Sequence, residues 1–295
     1  RHAPVHADAD RPPGRPGGTD MSTLDETRYF SPTASDASAL PARVTLVGAG
    51  PGDPELLTVK AAKALAAARL VLYDKLVSKD VLRLVNPQAD LIYVGKQSGH
   101  HTMRQEEIVE LMIRLAKSGR SVLRLKGGDP YIFGRGGEEA QALAAAGIEF
   151  DVVPGISAAQ GMGAYAGIPL THRDHAAQVV FATGHLREDS GGAHTLDLDW
   201  PSLARPRQTV VIYMGVASVG VICTQLARHG LPEDTPAALV ENATLATQRT
   251  VAGTLRTLPT LARTHAVRTP ALLVIGGVVA LREQLAPPVP LAAAA

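Results

Sequence analysis

Val44-Thr45-Leu46-Val47-Gly48-Ala49-Gly50-Pro51-Gly52-Asp53-Pro54-Glu55-Leu56-Leu57-Thr58 is the stretch from which the rest of the chain is read. An apolar, β-branched run gives way to a glycine-rich turn and then to an alanine-rich segment. That is the pattern of a buried strand, a tight turn and a helix start. Glycine lacks a Cβ, so such a turn lets backbone approach a ligand closely. Three ligand classes are open at this point: a dinucleotide, a phosphate or another small cofactor. Gly48-x-Gly50 suggests a dinucleotide fingerprint, and Asp74 ends the next strand, where a ribose-binding acid would sit. The spacing fails, because the third glycine, Gly52, comes one position early and Pro51, Asp53 and Pro54 crowd the turn. Phosphate wants free N–H groups and no negative charge, so an acid and two prolines at the helix entry suit it poorly. No Gly-Lys-Ser/Thr follows, so a phosphate-binding P-loop fails too. A plain structural turn capped by Thr58 also satisfies the local pattern.

Outward from this turn, short β-branched runs alternate with helical stretches. Strands are predicted at Val44–Val47, Leu70–Tyr73, Leu91–Val94, Val122–Leu125 and Glu149–Val153. Helices are predicted at Ala61–Ala68, Gln105–Lys117 and Glu138–Ala146. Ile108, Leu111, Met112 and Leu115 share one face of the second of these. Strand–helix alternation implies an α/β domain with a largely parallel sheet. The character shifts after Pro154-Gly155. Gln178–Thr183, Thr209–Tyr213, Ala237–Glu241, Gln248–Ala252 and Ala271–Ile275 form a second strand set, with helices at Val216–Arg228 and Leu255–Arg263. Several of these strands are joined by short connections, which implies a mixed sheet. Arg187–Leu198, with Gly191-Gly192, reads as an exposed loop. The expected organisation is a disordered extension over 1–42, an N-terminal α/β domain over 43–155, a C-terminal α/β domain over 156–285 and a loose tail over 286–295. Pro, Gly, Ser and Ala without periodicity mark the extension, and Met21 is a candidate initiator.

Bulk properties exclude several classes. With 29 basic and 28 acidic residues the net charge is +1, so no global field favours nucleic acid or membrane. Aromatic residues make up 4%, too few for a platform that stacks single-stranded bases. No apolar run approaches the roughly eighteen residues of a membrane-spanning helix. The single cysteine, Cys223, excludes an internal disulfide framework and a multi-cysteine metal site, and fits a reducing compartment. His100-His101 lacks the carboxylate or cysteine that would complete a metal site, so no metal is expected.

Further blocks accompany the glycine turn: Tyr73-Asp74-Lys75-Leu76-Val77-Ser78, Val94-Gly95-Lys96, the run Arg124 to Glu139, Val153 to Ala159, Gly167 to Arg173, Thr183-Gly184-His185, Tyr213-Met214-Gly215 and Val240-Glu241-Asn242. Together and in this order they resemble the tetrapyrrole (class III) S-adenosylmethionine methyltransferases. Within that family they are most similar to the uroporphyrinogen-III C-methyltransferases, from about Arg43 to Glu283. The resemblance implies two α/β domains with the active-site cleft between them and S-adenosylmethionine as methyl donor, leaving as S-adenosylhomocysteine. The implied reaction methylates uroporphyrinogen III twice, at C2 and C7, to precorrin-2 for sirohaem or cobalamin. Another corrin-pathway methyltransferase with a different substrate is the alternative, and an NAD-dependent oxidoreductase or a non-catalytic module are readings from other classes. A cytoplasmic homodimer is also implied, without nucleic-acid or membrane partners. Some relatives carry a fused oxidase and chelatase domain; the residues before Arg43 are too few for one, so methylation alone is expected.

Gly127-Gly128-Asp129-Pro130 follows a strand, and an acid beside two glycines can accept hydrogen bonds from an amine or a ribose. A β-turn with an Asp cap is the structural alternative. By resemblance, Pro51, Gly127, Gly128, Asp129, Ile132, Ser157, Ala158, Met214 and Ala243 line the cofactor pocket, Ala243 standing where the family has glycine. Asp74 is implied to accept a proton and Lys96 to donate one. The substrate carries acetate and propionate groups, so basic side chains are candidates to bind it: Arg104, Arg135, His172, Arg173 and His185, with His100 and His101. Glu138-Glu139 are expected to charge the first turn of a helix.

Overall fold

The computed structural model describes residues 42–95, 103–185, 187–188 and 194–286. They fall into two compact units, one ending at Ile156 and the other beginning at Ser157. The expected N-terminal extension and C-terminal tail lie outside the described residues, apart from Ala42 and Ala286.

In the first unit the chain runs β1 (Val44–Gly48), α1 (Val59–Ala67), β2 (Leu70–Tyr73), α2 (Lys79–Arg83), β3 (Asp90–Tyr93), α3 (Gln105–Lys117), β4 (Val122–Lys126), α4 (Gly136–Ala145) and β5 (Phe150–Val153). The strands form one sheet in the order β3-β2-β4-β1-β5, and every pairing is parallel. The chain steps one way from β1 to β3 and the other way from β3 to β5. Right-handed crossovers therefore put α1 and α2 on one face and α3 and α4 on the other. The two cores follow this division. Leu46, Leu72 and Val122 pack with Leu111, Met112 and Leu143 of α3 and α4. Val47, Val71 and Leu125 pack with Leu65, Val81 and Leu82 of α1 and α2. Successive strand residues point to opposite faces, so each strand feeds both cores.

Helices α1, α2 and α3 start at side-chain caps. Thr58 Oγ1 accepts from Ala61 N–H at 3.1 Å and Ser78 Oγ from Val81 N–H at 3.2 Å. Glu107 in the first turn of α3 reaches back to Arg104 N–H at 2.6 Å. The short α2 is absent from the sequence reading, since five residues carry too little periodicity to register.

The second unit contains α5 (Ala158–Ala166), β6 (Gln178–Thr183), β7 (Arg187–Glu188), β8 (His194–Thr195), α6 (Trp200–Leu203), β9 (Gln208–Tyr213), α7 (Val219–Arg228), β10 (Pro236–Glu241), β11 (Arg249–Thr254), α8 (Leu258–Thr264), β12 (Ala271–Ile275) and α9 (Arg282–Leu285). Its main sheet has the order β11-β10-β12-β9-β6, with β6 and β9 parallel and the other pairs antiparallel. This is the mixed sheet expected from short connections. Two corrections apply. α5 is missing from the sequence reading because its glycines lower helix propensity and Ala159, Gly161, Met162, Gly163 and Ala166 are all buried, which leaves no polar stripe to show a period. The stretch Arg187–Leu198, expected as a loop, holds an antiparallel pair, Arg187 opposite Thr195 and Glu188 opposite His194. Two residues per strand are too few for alternation to show. No helix among the described residues is long and apolar enough to cross a membrane.

Candidate active site

Parallel strands bring their carboxyl ends to one edge of the sheet, where α/β proteins place ligands. In the first unit, loops following β1, β4 and β5 are knitted together there. Ala49 N–H donates to Lys126 O at 2.7 Å, while Gly50 and Gly128 exchange both backbone hydrogen bonds, at 3.1 and 2.7 Å. Asp129 closes the arrangement: Oδ1 accepts from Tyr131 N–H at 2.9 Å and Oδ2 from Gly155 N–H at 3.1 Å. The glycines make this approach possible. A Cβ on Gly155 would lie 2.3 Å from Gly128 O, and one on Gly48 would lie 2.6 Å from Gly155 N. The Asp129 carboxylate therefore acts first as a loop staple, with lone pairs left over for a ligand. Asp53 caps the short 3-10 turn Pro54–Leu56, accepting from Glu55 N–H at 2.8 Å. Ser78 Oγ donates to Gly52 O at 2.6 Å and ties the loop after β2 to the glycine turn. Leu76, Tyr131, Ile132 and Phe133 are exposed apolar side chains in these loops.

A buried ionic cluster underlies this edge, and the sequence reading missed it. Arg124 and Lys126 lie on the same face of β4 as Val122, toward α3 and α4. Arg124 Nη2 lies 3.0 Å from Asp74 Oδ2 and its Nε 3.4 Å from Glu139 Oε1, while Lys126 Nζ reaches the same Oε1 at 3.0 Å. Gln105 Nε2 on α3 donates to that oxygen too, at 2.9 Å. Asp74 Oδ1 accepts from Leu76 N–H at 3.1 Å. Burial, helped by the adjacent Arg124 charge, pushes the Lys126 ammonium below the ordinary lysine value, against the pull of Glu139 and Asp74. Glu139 corrects an expectation: it sits in the first turn of α4, but its side chain is 0% exposed and paired inward. Glu138 beside it is exposed, and pairing with Arg135 lowers its pKa. Lys96, His100 and His101 lie outside the described residues.

The second unit holds its own group of expected residues. Ser157 precedes α5, its N–H bonded to Gln160 Oε1 at 3.0 Å and its Oγ to the Tyr213 hydroxyl. Tyr213 OH also accepts from Ala159 N–H at 3.1 Å, so the end of β9 holds the start of α5. Met214 follows with φ +56° and an exposed side chain. Ala243 packs against the α5 core between Asn242 and Thr244, whose φ values are +48° and +70°. The left-handed strain of this turn thus falls on the neighbours of Ala243.

The expected substrate-binding side chains come from both units. Arg104 carries an exposed side chain 3.5 Å from Glu107. Arg135, also exposed, is engaged by Glu138 at 2.6 Å. In the second unit, His172 accepts from Asp174 N–H at 3.1 Å and packs against His175, ring centroids 5.0 Å apart. Arg173 and His185 are exposed. No cluster of three or more His, Cys, Asp or Glu among the described residues could hold a metal.

A parallel sheet with glycine turns, an acid-stapled loop and a partly exposed carboxylate at its strand ends is the build of an α/β protein that takes a small molecule there. The profile of the Tetrapyrrole (Corrin/Porphyrin) Methylases matches residues 43–259, and the chain belongs to that family. It is 55% identical over 243 residues to the siroheme synthase of Methylobacillus flagellatus, covering 82% of this chain and 51% of that protein. With the siroheme synthase of Gluconacetobacter diazotrophicus it shares 56% over 245 residues, covering 83% and 51%. The chain thus spans about half the length of these curated relatives. Among solved structures it resembles a uroporphyrin-III C-methyl transferase from Thermus thermophilus complexed with S-adenyl homocysteine, at 41% identity and TM-score 0.68, covering 81% of this chain and 100% of that one. A cobalt precorrin-4 methyltransferase matches at 28% identity and TM-score 0.69, covering 80% and 95%.

Proposed function

We propose that the chain is an S-adenosylmethionine-dependent C-methyltransferase that methylates uroporphyrinogen III at C2 and C7. The products would be precorrin-2 and two molecules of S-adenosylhomocysteine. The observation that carries this reading is the 41% identity to the Thermus enzyme, which covers 81% of this chain and all of that one. Fold alone does not discriminate, since the precorrin-4 enzyme matches with a TM-score as high; its 28% identity is what sets it second. The names of the longer relatives support a product used for sirohaem.

The residues fit the donor chemically. S-adenosylmethionine carries a sulfonium, an amine and ribose hydroxyls but no phosphate. Glycine-built backbone at Gly127-Gly128, the Asp129 carboxylate and the apolar Ile132 suit such a cation better than a helix N-terminus does. Pro51, Ser157, Ala158, Met214 and Ala243 are assigned to the same ligand. When bound, the donor supplies a methyl group that an electron-rich pyrrole carbon attacks, the C–S bond breaking to leave a thioether. The protein aligns the reacting atoms and excludes water. Asp74, at the end of β2, receives the proton lost from the ring system, and Lys96 is the proton donor. Arg104, Arg135, His172, Arg173 and His185 are assigned to the substrate carboxylates. The enzyme works as a homodimer, which light scattering would check.

Anaerobic incubation with uroporphyrinogen III and S-adenosylmethionine is the direct test. A doubly methylated product, with two S-adenosylhomocysteines formed per molecule, is expected. Donor binding without turnover of this substrate would favour the alternative corrin-pathway reading.

A further inference from the structure

The ionic cluster beneath the strand ends takes up positions on a sheet face that is otherwise apolar. On the sheet face that packs against α3 and α4, the neighbouring positions are Val44, Leu46, Leu70, Leu72 and Val122. Arg124 is in register with Leu46 on one side and Leu72 on the other. A guanidinium thus sits between two leucines in a central strand. Replacing a buried ion pair by apolar side chains is often neutral or stabilising, so retention of four charges calls for another use. The geometry supplies one. Arg124 engages all three guanidinium nitrogens: Nε toward Glu139 at 3.4 Å, Nη1 to Leu125 O at 3.0 Å and Nη2 to Asp74 at 3.0 Å. A planar fork held at three points has one orientation. Side-chain exposure rises along the chain of pairs, from 0% at Glu139 through 3% at Arg124 to 24% at Asp74. Glu139 Oε1 receives Arg124, Lys126 and Gln105 together, while the buried Oε2 has no hydrogen-bond partner among the described residues.

We propose that Arg124 and Glu139 are positioning residues for Asp74: Glu139 holds the guanidinium from inside the sheet–helix layer, and Arg124 presents Nη2 to the carboxylate. This rests on the reading of Asp74 as proton acceptor. Two acidic side chains face two basic ones, so the part proposed for the cluster is to fix direction rather than to add net charge. Arg124 and Glu139 are both buried, so they act through Asp74 and not by contact with substrate in this proposal.

The test is a double-mutant cycle on methyl transfer to uroporphyrinogen III, with S-adenosylmethionine binding measured by calorimetry and folding by circular dichroism. Arg124→Lys keeps the charge but offers a single ammonium that cannot span Glu139 and Asp74. It is expected to fold and to bind the donor as the parent does, while kcat falls on the order of tenfold to a hundredfold through misorientation. Glu139→Gln should behave alike; if it does not fold, Arg124→Lys carries the test alone. In an Asp74→Asn background, both substitutions should cost nothing further in the residual rate, an outcome that a purely structural role would not produce. Parent-like kcat in a folded Arg124→Lys, or losses that multiply in the Asp74→Asn background, would overturn the inference while leaving Asp74 as acceptor. Full activity of Asp74→Asn alone would remove the acceptor reading and the inference with it.

Discussion

Gly155→Ala probes the joint that holds the strand ends together. The new methyl would stand 2.3 Å from Gly128 O, 2.9 Å from Gly48 Cα and 3.0 Å from Gly48 C. All three are backbone atoms, so no flexible side chain can swing aside. Relief requires the loop after β4 to move from β1. That movement threatens the paired Gly50–Gly128 hydrogen bonds and the Gly155–Asp129 bond. Overpacking in a close-packed site costs about 1–3 kcal/mol. Loss of one or two hydrogen bonds adds about 1–2 kcal/mol. The sum, about 2–5 kcal/mol, corresponds to a fall in melting temperature of roughly 5–15 °C for a chain of this size. Thermal unfolding by circular dichroism reads it, and S-adenosylmethionine affinity should fall in parallel. Gly220→Ala is the matched control, because nothing lies within 4 Å of its Cβ and it sits in α7, where alanine favours the helix by about 0.5–1 kcal/mol. If Gly155→Ala melts with the parent, or no lower than Gly220→Ala, the account of glycine-built loop packing is wrong.

Three further outcomes are expected. Tyr213→Phe keeps the edge contact with Phe181 but removes the hydroxyl shared by Ser157 and Ala159; unfolding free energy should drop about 1–3 kcal/mol, with weaker donor binding, and unchanged urea unfolding would contradict this. Glu241 is held below the ordinary glutamate pKa, chiefly by its hydrogen bond to Arg249 and further by Arg268 N–H. Because the folded pKa is depressed, its stabilisation is present above the unfolded value and lost as pH falls through the folded one. The gap in melting temperature between parent and Glu241→Gln should therefore hold at neutral pH and close below about pH 4; a gap that widens on acidification would refute the sign. Cys223 is buried and its thiol is pushed up to about 12, so a disulfide reagent at pH 8 should label it only as the protein unfolds. Labelling of the native chain at the rate of a free thiol would show the site to be open.

Local pattern carried much of the fold. β2, α3, β6 and β12 run over the residues their periodicity predicts, because each has a continuous apolar face or run that needs no distant partner to be recognised. α5 escaped because a helix buried on several sides has no polar stripe, and α2 because it is too short. The role of Asp129 was legible in type but not in partner: an acid after two glycines reads equally as ligand acceptor or turn cap. The structure shows it capping Tyr131 and reaching Gly155, a residue 26 positions away.

By itself the sequence determined the two α/β halves, the order of their strands along the chain and the glycine turn between Gly48 and Gly52. Its ordered blocks carried the resemblance to the tetrapyrrole methylases. Those features depend on neighbours within a few residues, where spacing is geometry. Only tertiary structure decided which charges are buried. Glu139 looks like any acid in the first turn of a helix, Arg124 like a polar position of a predicted strand and Lys126 like the residue that follows it, until a parallel sheet brings residues 50 positions apart within 3.0 Å. Burial and pairing are properties of that long-range packing, and with them the orientation of Asp74.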